Sequence, residues 1–116
     1  MARTILDQGT QTATVGTEHT IKDDTTYSGS VLDAYVDLAN MQAGDVVELR
    51  IYVKLRTTST LHAIYYARYE DEQIDEDNYK LPVVYIPGIT EPAEWKITLK
   101  QTAGTGRAYE WIVYRT

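Results

Sequence analysis

The chain has 116 residues, a formal net charge of −6 and no cysteine. Its length suits one domain and not two. The missing cysteines exclude disulfides, thiolate metal sites and a cysteine nucleophile, and an acidic balance with no basic cluster argues against nucleic acid as a partner.

Composition favours strands. Sixteen Thr, nine Val and nine Ile restrict χ1 and suit a pleated surface better than a helix. Ten Tyr and two Trp stand beside no Phe, so every aromatic side chain carries a polar group. No apolar run reaches membrane-spanning length, and MARTILDQGT lacks the apolar core of a signal peptide. A membrane is therefore not an expected partner.

Residues 1–11 are polar apart from Ile5 and Leu6. They read as an extended N-terminal arm or a first edge strand, ahead of one β-sandwich domain over 12–116. Residues 12–21 alternate loosely, with Gly16 marking a candidate bulge. Residues 30–38 alternate with period 2: Leu32, Ala34, Val36 and Leu38 share one face, and Asp33, Tyr35 and Asp37 the other. Gly44 and Asp45 then turn the chain.

Residues 46–56 carry the strongest pattern. Val47, Leu49, Ile51, Val53 and Leu55 point to the core, while Glu48, Arg50, Tyr52, Lys54 and Arg56 point to water. Residues 61–69 form a further strand with tyrosines on both faces. The run EDEQIDED at 70–77 holds six acids and no base and reads as a solvated loop or short helical turn. Residues 80–86 form a short strand with Pro82 at its edge or entry, followed by a loop at 87–92. Residues 94–101 place Trp95, Ile97 and Leu99 inward, and 107–114 place Tyr109, Trp111 and Val113 inward. The glycines of TAGTG join these two strands into an expected C-terminal hairpin. The expectation is an all-β fold: a single antiparallel β-sandwich or jelly-roll-like barrel of about seven to eight strands.

No motif with a defined mechanism stands out. Ser28, Ser30 and Ser59 lie in no nucleophile elbow, and His19 and His62 are isolated. The acidic run is the one oxygen-rich candidate for calcium, but it lacks the EF-hand spacing and central glycine. GTG at 104–106 does not stand between a strand and a helix, as a phosphate loop would. No enzyme activity, catalytic residue, cofactor or metal is expected.

The residues that point to a partner are of three kinds. Ile5 and Leu6 lie in an arm that could order on a neighbouring subunit. Tyr65, Tyr66 and Tyr69, with Tyr79 and Tyr85 shortly after, are of a type enriched at interfaces, although core and rim packing is the competing reading. Glu70, Asp71, Glu72, Asp75, Glu76 and Asp77 would solubilise the sheet or meet a basic patch.

Three stretches carry a resemblance: ATVGTEHTI (13–21), VDLANMQAGDVVELRIYVK (36–54) and EWKITLKQTAGTGRAYEWIVYR (94–115). They resemble small proteins encoded among the structural genes of tailed bacteriophages, over roughly half the chain. The resemblance implies a virion structural protein, first of all a capsid decoration (cement) protein, made in the host cytoplasm and placed on the capsid surface. It also implies the major capsid protein or another virion protein as partner, and a homotrimer. A neck, tail or fibre-associated virion protein competes with this. The tyrosine and tryptophan content separately raises a carbohydrate-binding β-sandwich.

Overall fold

Alternating apolar and polar residues build eight strands in the computed structural model, which describes residues 4–25, 31–56, 58–73, 83–90 and 94–115. They are β1 (Thr4–Thr12), β2 (Glu18–Asp24), β3 (Val31–Asp37), β4 (Val46–Lys54), β5 (His62–Glu70), β6 (Val83–Thr90), β7 (Glu94–Ala103) and β8 (Ala108–Arg115). Two antiparallel four-stranded sheets pack face to face: sheet A in the order β1-β8-β3-β6 and sheet B in the order β2-β7-β4-β5. The first strand pairs with the last, the second with the second-last, and so on to β4 with β5. One long antiparallel ribbon is thus rolled across two sheets, which is the jelly-roll arrangement of the sandwich.

The inward positions of β3, β4 and β7 form the core. Leu32, Ala34 and Val36 meet Val47, Leu49, Ile51, Val53, Trp95, Ile97 and Leu99, and Ala13, Ile21, Leu38, Met41, Val84, Ile86, Tyr109 and Val113 complete it. Leu55 departs from the expected register: β4 ends at Lys54, and Leu55 is 78% exposed. Residues 87–90 also depart from expectation, since they continue β6 instead of forming a loop. The predicted start of that strand at 80–82, Pro82 included, lies outside the described residues.

Two expected connections are corrected. Residues 94–114 are two strands but not a hairpin: β7 pairs with β2 and β4, while β8 pairs with β1 and β3 in the opposite sheet. The physical reason is burial. Both strands are central in their sheets, so each needs a partner on either side, and the loop at 104–107 crosses the sandwich. Residues 12–21 are likewise not one strand with a bulge at Gly16. Gly16 sits in a turn between β1 and β2 that also changes sheet. Of the two readings of residues 1–11, the structure places 4–12 as the edge strand β1, paired with β8 along its length.

Each edge strand carries one extra residue against its inner neighbour. The register skips Leu6 in β1, Ile21 in β2 and Ile64 in β5, and it slips once between Ile86 and Ile89 in β6. A bulge twists an edge away from the flat geometry that a foreign strand would need. In β1 and β2 the extra residue also turns an apolar side chain to the core, for Leu6 and Ile21 both pack there.

One end of the sandwich is held by a buried polar clamp. Asp45 is 1% exposed. Its carboxylate accepts from the Gln42 amide at 2.9 Å, the Thr105 amide at 3.1 Å and Arg107 Nε at 2.9 Å. Beside it the fully buried Gln101 donates to the carbonyls of Ala103 and Thr105 and accepts from the Tyr109 hydroxyl at 2.8 Å. Burial works against charge on Asp45, but the amides and the guanidinium outweigh it and hold its carboxyl below the usual carboxylate range. The same burial, with the Asp45 charge nearby, pushes the Tyr109 hydroxyl up to about 12.

Gly104 lets this clamp close. Its φ is +86°, and a Cβ there would lie 2.0 Å from Asp45 Oδ1 and 2.8 Å from Asp45 Cα. Gly44 has a similar φ of +89° but open space around it. Gly44→Ala should therefore cost only the left-handed strain, about 1–2 kcal/mol. Gly104→Ala should cost clearly more, because backbone must also move; urea unfolding of the two variants measures the difference.

Asp45→Asn should cost about 3 kcal/mol at neutral pH, since it unbalances a buried ion pair and weakens charge-assisted hydrogen bonds. The stabilisation from a depressed carboxyl is complete above its ordinary value of 3.8 and is lost as pH falls through the folded value. The stability gap between wild type and variant should accordingly shrink below pH 4 in parallel acid titrations.

Candidate functional site

The outward faces of the two sheets differ in chemistry, and the difference singles out one of them. On sheet B, outward residues of β2, β7, β4 and β5 fall in cross-strand rows, Glu18–Lys100–Glu48–Arg68 and Thr20–Thr98–Arg50–Tyr66. The charges pair with one another. Glu18 accepts from the Tyr52 hydroxyl at 2.8 Å and from Thr98 Oγ1 at 2.6 Å. Glu48 accepts from the Tyr66 hydroxyl at 2.7 Å and pairs with Arg50 at 3.1 Å. Cations cover the rings: Arg50 lies 4.8 Å from the centre of Tyr66 and Lys96 lies 4.9 Å from that of Tyr52. The Tyr66 hydroxyl and Arg50 hold the Glu48 carboxyl below its usual range.

Sheet A presents another surface. Its central outward row is Gln8–Ile112–Tyr35–Tyr85. Tyr35 stands 5.1 Å from Tyr85 and edge-on to Tyr114 at 6.2 Å. Ile5, Val31, Val83 and Tyr85 are each 38–50% exposed around them. The polar residues of the face are acidic or neutral: Asp33, which accepts from the Tyr85 hydroxyl at 2.9 Å, with Asp37, Glu110, Gln8 and Thr10. Among the described residues no lysine or arginine occupies an outward position of sheet A. A groove of about 430 Å³ crosses this face between β1 and β6.

The predicted contact residues fall mostly elsewhere. Tyr65 and Tyr69 turn inward and pack against the core, and burial with the neighbouring Tyr65 pushes Tyr69 up to about 12. Tyr66 is half exposed but belongs to the paired lattice of sheet B. Leu6 is half-buried against the core, whereas Ile5 joins the apolar face of sheet A.

Asp71 is a clasp. Its Oδ1 accepts from the Gly44 amide and its own amide donates to the Asp45 carbonyl, with φ at +62°. Glu70 pairs with Arg68, and Glu72 is half-buried. Asp75, Glu76 and Asp77 lie outside the described residues.

Tyr85 stands among the tyrosines noted from the sequence, and Tyr79 lies outside the described residues, but Tyr35, Ile112 and Tyr114 were not singled out. A signal was present. If Tyr109, Trp111 and Val113 point inward, then Ile112 and Tyr114 point outward, where a wet strand would carry polar residues.

His19 Nε2 accepts from the Thr14 amide at 3.0 Å, and His62 Nε2 meets Thr60 Oγ1 at 2.9 Å. Among the described residues no hydrogen bond joins either to Ser59, and Ser28 and Ser30 lie outside the described residues. Among the described residues no three of His, Asp and Glu converge on one point that could hold a metal ion, and no helix is long and apolar enough to cross a membrane.

Glu18 and Glu48 should respond differently to truncation. Glu18→Ala strands the hydroxyl of Thr98, which is 1% exposed, and should cost about 1–3 kcal/mol. Glu48→Ala breaks exposed contacts and should cost about 1 kcal/mol or less. Thermal unfolding of the two variants checks the order. The chain matches no family model, no curated protein and no solved structure.

Proposed function

We propose that this chain is a structural module of a tailed-bacteriophage virion, first of all a capsid decoration protein, that docks on its partner through the outward face of sheet A. The observation that carries the docking part is the contrast between the two faces. Sheet B neutralises its own charges and sets cations over its own rings, whereas sheet A, among the described residues, exposes Ile5, Val83 and part of Tyr85 around a groove. An apolar, aromatic surface of this kind stabilises by being covered. The bulges in all four edge strands favour the same view, since they work against partners that add a strand.

The virion part rests on the resemblance of 13–21, 36–54 and 94–115 to phage structural proteins. The geometry gives those stretches a structural meaning: the turn at 40–45 and the loop at 104–107 meet in the Asp45 clamp. A jelly roll serves capsid proteins and lectins alike, so the fold is compatible with the reading without selecting it. The partner in this reading is the major capsid protein, and display in many copies, with a trimer as the unit, turns weak single contacts into firm attachment.

The test is direct. Purified protein should bind phage heads that lack it and raise their resistance to heat, and Tyr85→Glu should abolish binding while leaving the domain folded. If purified virions contain no copies and neither heads nor tails bind the protein, the virion reading is wrong.

A further inference from the structure

On sheet B, a tyrosine ring beside a carboxylate holds a cation. The arrangement occurs twice on sheet B. Tyr66 donates to Glu48, and Arg50 lies over the ring while pairing with that carboxylate. Tyr52 donates to Glu18, and Lys96 lies over the ring. In both cases the cation comes from the same sheet.

Among the described residues, the groove on sheet A has the ring and the carboxylates without the cation. It is lined by Tyr35, Val83 and Ile112, together with the acids Asp37 and Glu110. Glu110 is exposed, and one Asp37 oxygen accepts from the Ala39 amide. Carboxylates in an apolar groove lose water when the groove is covered, which is costly without a counter-charge.

We infer that the groove takes an arginine side chain presented by a partner protein, its guanidinium lying on Tyr35 and its N–H groups meeting Asp37 and Glu110. This rests on the reading of sheet A as the docking face. Arginine fits better than lysine because its planar group stacks on a ring and forks to carboxylates at once. A second copy of the same face is the wrong partner, since Asp37 and Glu110 would meet their own kind. A neutral sugar would meet the ring but bring no charge for the two acids.

The experiment titrates the full-length ¹⁵N-labelled chain with acetyl-Gly-Arg-Gly amide, its citrulline counterpart and a mixture of neutral oligosaccharides. The arginine peptide should shift the amide signals of Tyr35, Asp37 and Glu110. The uncharged citrulline peptide should bind several-fold more weakly, and added salt should weaken the arginine complex. Glu110→Gln, at an exposed site that should not disturb folding, should lower affinity roughly threefold to tenfold.

Equal binding of citrulline, shifts confined to residues 70–73, groove shifts with the oligosaccharides alone, or groove signals that move with protein concentration would each overturn the assignment. Protein present in virions with a groove blind to arginine removes only this inference. An arginine-binding groove in a protein absent from virions removes only the virion reading.

Discussion

A carboxylate cannot stay charged in an apolar interior unless donors surround it, and at Asp45 those donors come from both halves of the ribbon. The Gln42 amide belongs to the turn that leads from sheet A to sheet B. The Thr105 amide and Arg107 belong to the loop that leads back. Closing this site therefore fixes two sheet-crossing connections against each other. It also fixes Gln101 and Tyr109, which share the buried hydrogen bonds behind it. Asp71 ties the end of β5 to the same turn. The core supplies most of the stability, but hydrophobic burial is non-directional. The clamp decides which loop meets which.

How much of the fold was legible follows from strand position. The strands read most clearly from the sequence were those near 30–38, 46–56, 94–101 and 107–114. These are β3, β4, β7 and β8, the four central strands. A central strand has neighbours on both sides and one fully buried face, so period 2 persists over most of its length. The edge strands blurred because each contains an extra residue, which flips the alternation midway. Ile5 and Leu6 looked like an apolar pair for this reason, yet one points outward and the other to the core. Pairing was less legible than the strands themselves. Glycines between two strands signal a hairpin locally, and only the buried partners on both sides of β7 and β8 show that the chain changes sheet.

The candidate site was less legible than the fold. Residue type drew attention to Tyr65, Tyr66, Tyr69 and the acids that follow. Tertiary context gave Tyr65 and Tyr69 to the core, Tyr66 to a charge lattice and Asp71 to a turn. The face proposed for docking is assembled from β1, β3, β6 and β8, whose residues run from Ile5 to Tyr114. No local window contains it. Each strand contributes one or two outward apolar residues, unremarkable alone, and only the sheet order places them side by side.

Pairing the first strand with the last has a kinetic side. Thr4 faces Arg115, and in sheet B Glu18 faces Lys100. These contacts span most of the sequence, so their loop-closure entropy must be met before they stabilise anything. A nascent chain can form β4 and β5 early, because only a short loop separates them. Sheet A cannot be completed until β8 has left the ribosome, and until then β1 has no partner and the Asp45 carboxylate lacks the donors of Thr105 and Arg107. The domain is thus built from its middle outward, and its last-made strand seals both the sheet and the clamp.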